Sequence, residues 1–192
     1  MGKQYEVLEP SLVEWIERQH VFFVASAPAG DGGFVNLSPK GLDTLRVLDE
    51  RRVAWLDFVG SGVETIAHLR QNGRVTLCFC AFEGPPRILR IHGWGEAFEP
   101  GTREFDQLRA HFPAVPVEAA VRSVIEIHAA RIADSCGYGV PLYEYRGERS
   151  QLHDWADRKG EAGLTDYRRE RNARSIEGLP ALRHPGGPPR GT

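Results

Sequence analysis

Three short segments place residues that can grip an anion at regular spacing. In Asn36-Leu37-Ser38-Pro39-Lys40-Gly41, the two-residue alternation of a strand puts Asn36, Ser38 and Lys40 on one side and Leu37 on the other. An amide, a hydroxyl and an ammonium in a row offer donors to an anion. A solvated hairpin face that ends at Pro39 accounts for the same pattern. In Gly60-Ser61-Gly62-Val63-Glu64-Thr65 a strand gives way to a helix, whose free N–H groups and positive dipole end suit a phosphate. The hydroxyls of Ser61 and Thr65 are further donors there. Ser61 and Glu64 also match a capping box, which uses those N–H groups internally and sets a carboxylate against an incoming anion. In the third segment, Arg87 to Gly93, alternation places Leu89, Ile91 and Gly93 on one face and Ile88, Arg90 and His92 on the other. An Arg among such apolar neighbours calls for a fixed anionic partner, either an internal carboxylate or a ligand.

Other candidates carry less. Cys78 and Cys80 point the same way on a strand, but no second Cys/His pair at zinc spacing accompanies them, so small buried side chains are the better account and no metal is expected. His92, His111, His128 and His153 have no nucleophile partner that spacing assigns. Arg168, Arg169, Arg171 and Arg174, with Glu170 among them, read as a solvated helix face. Trp155, Tyr138 and Tyr143 are unranked ring-stacking groups.

The elements that must position these residues follow from local patterns. Ser11 and Glu14 match a capping box for a helix running to about Gln19. Six strands are expected: His20–Ala27, Phe34–Ser38, Arg52–Phe58, Val75–Phe82, Arg87–Phe98 and Ser123–Ile132. The first two form a hairpin around Ala29-Gly30-Asp31-Gly32-Gly33. Gly93 and Gly95 mark a bulge or bend in the fifth. A helix stops at Asn72-Gly73, another spans Thr102–His111, and Val117–Arg122 is a third, shorter one. Leu152, Trp155 and Ala156 begin a C-terminal helical region. Short strands with helices inserted singly indicate a small, mainly β antiparallel barrel with flanking helices, an α+β fold and not a βαβ array. Residues 1–145 form the barrel domain and 146–183 a helical extension packed on it. Residues 184–192, rich in Pro and Gly, have nothing to bury and are expected to be disordered.

Composition narrows the function. The 192 residues carry 24 Lys+Arg against 26 Asp+Glu, a net charge of −2, which removes the field that nucleic-acid binding relies on. No apolar run is long enough for a membrane span. The first residues lack the apolar core of a secretory signal, and three cysteines do not suggest a secreted disulfide framework. The expectation is a cytoplasmic protein that acts on a small-molecule substrate or binds another protein.

From Val21 to about Glu96 the order of motifs resembles the pyridoxamine 5′-phosphate oxidase-like, FMN-binding split-barrel family. The carriers are the Gly-rich hairpin before Asn36, then Ser38-Pro39-Lys40-Gly41, Gly60-Ser61-Gly62, Asn72-Gly73-Arg74-Val75 and Leu89-Arg90-Ile91-His92-Gly93. Asp134 to Pro141 is similar to a little-characterised branch of that family. The resemblance implies a six-stranded antiparallel split barrel, a homodimer with FMN in clefts at the subunit interface, and an oxidoreductase. It implies cofactor contacts from Ser38, Lys40, Ser61, Gly62 and Arg90, with Asp57 facing the ring system; the donors Asn36 and Thr65 complete the candidate cofactor-binding set. Within the same superfamily the barrel also takes deazaflavin F420 or haem, and a non-enzymatic flavin sensor is the other reading. The chain departs from the true oxidases at Gly62 and Val63, where they carry an Arg-Lys pair. It departs again at Ile88 and Leu89, where they carry a Gln, and it lacks their C-terminal Trp-to-Arg-Leu motif. The vitamin B6 reaction is therefore not expected.

Overall fold

A computed structural model describes residues 2–186. Along the chain, β1 (Gln4–Tyr5) precedes α1 (Pro10–Glu17), β2 (Phe22–Ser26), β3 (Asn36–Lys40), β4 (Leu45–Val47) and β5 (Arg52–Phe58). Then come α2 (Glu64–Asn72), β6 (Arg74–Cys80), β7 (Ile88–Phe98), α3 (Arg103–Arg109) and a 3-10 turn at Glu118–Ala120. The chain continues through β8 (Val121–Ser135) to α4 (Gln151–Arg171). The six expected strands are all present, and two short ones, β1 and β4, join them in one antiparallel sheet ordered β3-β2-β6-β7-β8-β5-β4, with β1 on β8. The result is the split barrel, mainly β with helices against it.

Burial follows the pleat. In β2 the pattern buried–intermediate repeats from Phe22 to Ser26, and in β6 Val75, Leu77 and Phe79 are buried while Thr76, Cys78 and Cys80 are not. The inward set meets Trp55, Ile91, Ile125 and Ile132 in the main core. Ala54, Leu56 and Val124 bury the other face of β5 and β8 beneath Phe105 and Leu108 of α3. Ala156 and Leu164 of α4 close over Val59 and Ala120, and Ala181 and Leu182 beyond α4 return to the main core.

Two glycines are required by geometry. Gly73 ends α2 at φ 70° with its N–H on Leu69 O, the left-handed cap that other residues resist. The β7–β8 register shifts between His92 and Gly93, as the glycines suggested, and a Cβ at Gly93 would collide with the carbonyl of His128.

Neither capping box forms. Helix α1 begins at Pro10, whose fixed φ and missing N–H suit the first helical position, so the chain has already turned before Ser11. Helix α2 begins at Glu64, two residues later than the Ser61 cap would have it, with Val63 at the cap and no side-chain bond. The solvated Arg face also needs correction. Arg168 is half-buried, donating to Ala119 O (2.9 Å) and Thr165 Oγ1 (3.1 Å), while Arg169 stays outside with Asp166. The C-terminal helix is bent at Gly160, which sits at φ 65°. Of the expected disordered tail, His184 is anchored through its N–H to Glu99 Oε2 at 2.8 Å, and 187–192 lie outside the described residues.

Candidate functional site

Strand β3 is an edge strand, and its alternation is as expected: Asn36, Ser38 and Lys40 are half-buried while Leu37 and Pro39 are exposed. The polar row leans toward α2. Asn36 donates through Nδ2 to Thr65 Oγ1 (2.9 Å) and, more weakly, to Ser26 Oγ (3.4 Å); its Oδ1 accepts from Ser38 Oγ (2.9 Å). Between β3 and the turn before α2 lies an open crevice of about 480 Å³, whose polar lining is Asn36, Ser61, Gly62, Glu64 and Glu177. The late start of α2 leaves Ser61 and Gly62 exposed in that crevice. It also folds the Glu64 carboxylate over Gly62, where a Cβ would meet it. The turn is thus open to a ligand but carries an acidic lid.

The chain beyond α4 holds both walls. Asn172, fully buried, donates from Nδ2 to Gly60 O (2.8 Å), and Glu177 accepts the Phe34 N–H (3.2 Å) two residues before β3. These two contacts span 112 and 143 residues, so no local pattern announces them. Burial against α2 also brings in His68, fully buried, with Nδ1 3.0 Å from Ser26 Oγ and Nε2 3.7 Å from Glu177 Oε1. It sits among Ile66, Ala67 and Leu69, which in sequence marks only a core helix face. The four histidines singled out from sequence lie elsewhere: His92 beside Thr76, His128 beside Glu126, His153 against the Phe58 ring, and His111 just past α3.

The far end of the row is an ion cluster. Lys40 Nζ lies 3.0 Å from Asp57 Oδ1, and Arg122 Nε 2.6 Å from Asp57 Oδ2. Lys40 and Asp57 join β3 to β5, which are not neighbours in the sheet. Arg122 reaches inward because the β5–β8 register shifts at Asp57/Phe58, leaving it as the extra residue. Burial pushes the Asp57 carboxyl up, but Arg122 and Lys40 more than reverse this and hold it at about 2. Asp57, expected to face a ring system, is therefore committed to two internal cations. Arg122, whose Nη1 is buried without a partner among the described residues, was missed because it precedes an apolar strand and has no motif.

Arg90 is not brought into this cluster. Cross-strand partners share a face, and Arg90 is opposite Cys78, Cys78 opposite Phe23, and Phe23 opposite Pro39. Arg90 therefore projects from the outer face with Pro39, three strands or roughly 14 Å away, while Lys40 shares the inner face with buried Phe22. Its one side-chain partner among the described residues is Ser135 Oγ at 3.2 Å. On the same face burial pushes the Cys80 thiol up to about 11, with Cys78 adding to the shift, so the Cys80 environment does not favour a thiolate. Burial, Arg131 and Arg90 lower His92. Of the ring candidates, Tyr143 stacks on Phe82 (5.3 Å) at a separate cavity of about 570 Å³, Trp155 meets Tyr167 edge-on (5.1 Å), and Tyr138 is exposed.

The fold is the split barrel that the ordered motifs implied. The family model described as Pyridoxamine 5′-phosphate oxidase matches residues 8–136. The chain belongs to the pyridoxamine 5′-phosphate oxidase family. Among its relatives is "Pyridoxamine 5′-phosphate oxidase family protein ustO" of Aspergillus flavus, 36% identical over 197 residues, covering 93% of this chain and 77% of that protein. Two solved structures share the fold. HupZ of Group A Streptococcus is 18% identical with a TM-score of 0.52, covering 67% of this chain and 99% of its own. A candidate pyridoxamine 5′-phosphate oxidase of Lactobacillus delbrueckii is 16% identical with a TM-score of 0.51, covering 68% and 98%. The family match takes in every residue from Asn36 to Arg90 but stops before Asn172 and Glu177, so the clasp lies outside it. No helix among the described residues is long and apolar enough to cross a membrane.

Proposed function

We propose that this chain is a flavin-dependent oxidoreductase that holds FMN in the crevice beside β3, in a cytoplasmic homodimer, and acts on a small substrate. The observation that carries the reading is the polar row of β3: Asn36, which lines the crevice, bonds both Thr65 of α2 and Ser38, and Lys40 farther along the same face pairs with Asp57. The donor set fits a phosphorylated ligand in kind. Ser61, Thr65, the Gly62 N–H and Lys40 would hold the phosphate, and Asp57 keeps Lys40 in place. FMN supplies the hydride or electron transfer, while the chain binds, orients and shields it.

Charge supports the second copy. Lys40 and Arg122 share Asp57, and Glu64 adds another carboxylate, so these four groups carry no net charge against a phosphate of about −2. Arg90 projects from the opposite face and reaches such a crevice only from another chain. The vitamin B6 reaction is outside this reading, because the positions of the Arg-Lys pair hold Gly62 and Val63.

The test is a titration of the purified full chain with FMN, following flavin fluorescence, with light scattering to count chains. Saturable binding to a dimer is the expected result. A monomer, or no binding, overturns the reading, and tighter binding of F420 or haem in competition reassigns the cofactor. The Glu64 carboxylate over Gly62 favours a second reading, a flavin-binding module without turnover. Steady NAD(P)H oxidation by the FMN-loaded protein would exclude it.

A further inference from the structure

The crevice wall rests on a chain of hydrogen bonds whose direction can be worked out from one end. Glu177 Oε2 accepts from Ser175 Oγ (2.7 Å) and Oε1 from the Phe34 N–H (3.2 Å). Burial raises this carboxyl, but the Ser175 hydroxyl and backbone N–H groups lower it further, so it is ionised and can only accept. Facing it at 3.7 Å is Nε2 of His68, a ring with no exposed surface whose Nε2 meets no other polar atom among the described residues. A carboxylate there favours the tautomer with its hydrogen on Nε2, which leaves Nδ1 as an acceptor. Ser26 Oγ, 3.0 Å from Nδ1, must then donate to it. With its hydrogen used, Ser26 offers lone pairs to Asn36, which fixes the Asn36 amide with Nδ2 toward Ser26 and Thr65 and Oδ1 toward Ser38. Thr65 Oγ1 accepts from Asn36, and its own hydrogen has no acceptor among the described residues.

We propose that His68 is a positioning residue for the crevice: through Ser26 and Asn36 it compels the Thr65 hydroxyl to turn its hydrogen outward, as a donor to an oxyanion such as a phosphate. This rests on the crevice being the binding site. The mirror arrangement makes the consequence plain. With the proton on Nδ1, His68 donates to Ser26, whose hydrogen turns toward Asn36. The amide then reverses, and Thr65 donates to Asn36 Oδ1. With its hydrogen spent, Thr65 would offer an anion only lone pairs, which repel it. Four residues from α2, β2, β3 and the C-terminal segment thus decide the polarity of one hydroxyl, although His68 does not line the crevice.

Nuclear magnetic resonance of the full chain carrying ¹⁵N-histidine reads the direction without any ligand. The expected spectrum has His68 protonated on Nε2 and bare on Nδ1; a protonated Nδ1 overturns the proposal. FMN titrations read the consequence. His68→Leu, close in size, should weaken binding about tenfold, one hydrogen bond to a charged group. His68→Asn, whose Oδ1 can stand in for Nδ1, should restore most of it. Thr65→Val should weaken binding by a similar factor, and the double variant His68→Leu/Thr65→Val should lose no more than either alone, because both act on one path. Losses that multiply, or a His68→Asn protein no better than His68→Leu, would refute the assignment. If the parent protein does not bind FMN, the proposed cofactor fails, and the histidine spectrum still decides the polarity of the chain.

Discussion

The two faces of the sheet treat their polar residues in opposite ways. On the inner face, Asn36 is linked to Thr65 of α2, Ser38 to Asn36 beside it, and Lys40 to Asp57 of β5. On the outer face, Arg90 has no carboxylate partner among the described residues, only the Ser135 hydroxyl, with Cys78 opposite it. The inner row is pre-organised: its side chains lose little further freedom when a ligand arrives, which is how rigid sites gain affinity. The outer Arg has no fixed counter-charge among the described residues. Stability should therefore concentrate on the inner face, and association on the outer one.

Asp57→Ala is the strongest way to break that contrast. It strands two buried or half-buried cations, and the loss should reach about 3–5 kcal/mol in urea unfolding. Arg90→Ala should leave the unfolding midpoint within experimental scatter, and equal losses for the two variants would erase the distinction between the faces. For binding, Lys40→Glu should weaken FMN by roughly 1.5–3 kcal/mol in a fluorescence titration. Arg90→Ala should weaken FMN by a similar amount, and unchanged affinity in both would put the site elsewhere.

Acid titration sharpens the same comparison. The Asp57 carboxyl lies at about 2 when folded against 3.8 ordinarily, so its contribution is present above the ordinary value and is lost as pH falls toward 2. Stability of the parent protein should decline across that window, and the Asp57→Ala protein should lack this part of the decline. The smallest effect belongs to Glu64→Gln. Removing the carboxylate over Gly62 should leave FMN affinity unchanged or modestly raised, and a clear loss would mean that Glu64 contacts the ligand.

Much of this was legible along the chain because it depends on neighbours. Alternation in β3 put Asn36, Ser38 and Lys40 on one side, and alternation in β7 separated Arg90 from Leu89 and Ile91. Both assignments need only the geometry of a pleated strand. Helix starts were less legible. Ser11-x-x-Glu14 and Ser61-x-x-Glu64 both have the capping spacing, yet Pro10 starts one helix early and the other waits until Glu64. A cap is worth only about 1 kcal/mol, so the path that packing demands overrides it.

Strand order, and with it the side on which each polar residue works, belonged to the tertiary structure. The motif order along residues 21–96 identifies the barrel and its candidate row. It does not say that Arg90 and Lys40 leave the sheet on opposite faces, since that follows from the pairings Pro39–Phe23, Phe23–Cys78 and Cys78–Arg90. Nor does it link Asp57 to Arg122, Gly60 to Asn172 or His68 to Glu177, contacts separated by 65 to 112 residues. Periodicity acts over one turn or one pleat, whereas these partners meet only after the sheet has curled and the C-terminal segment has folded back. The local pattern settles which residues are polar and which way each strand presents them; closure of the chain settles what they touch.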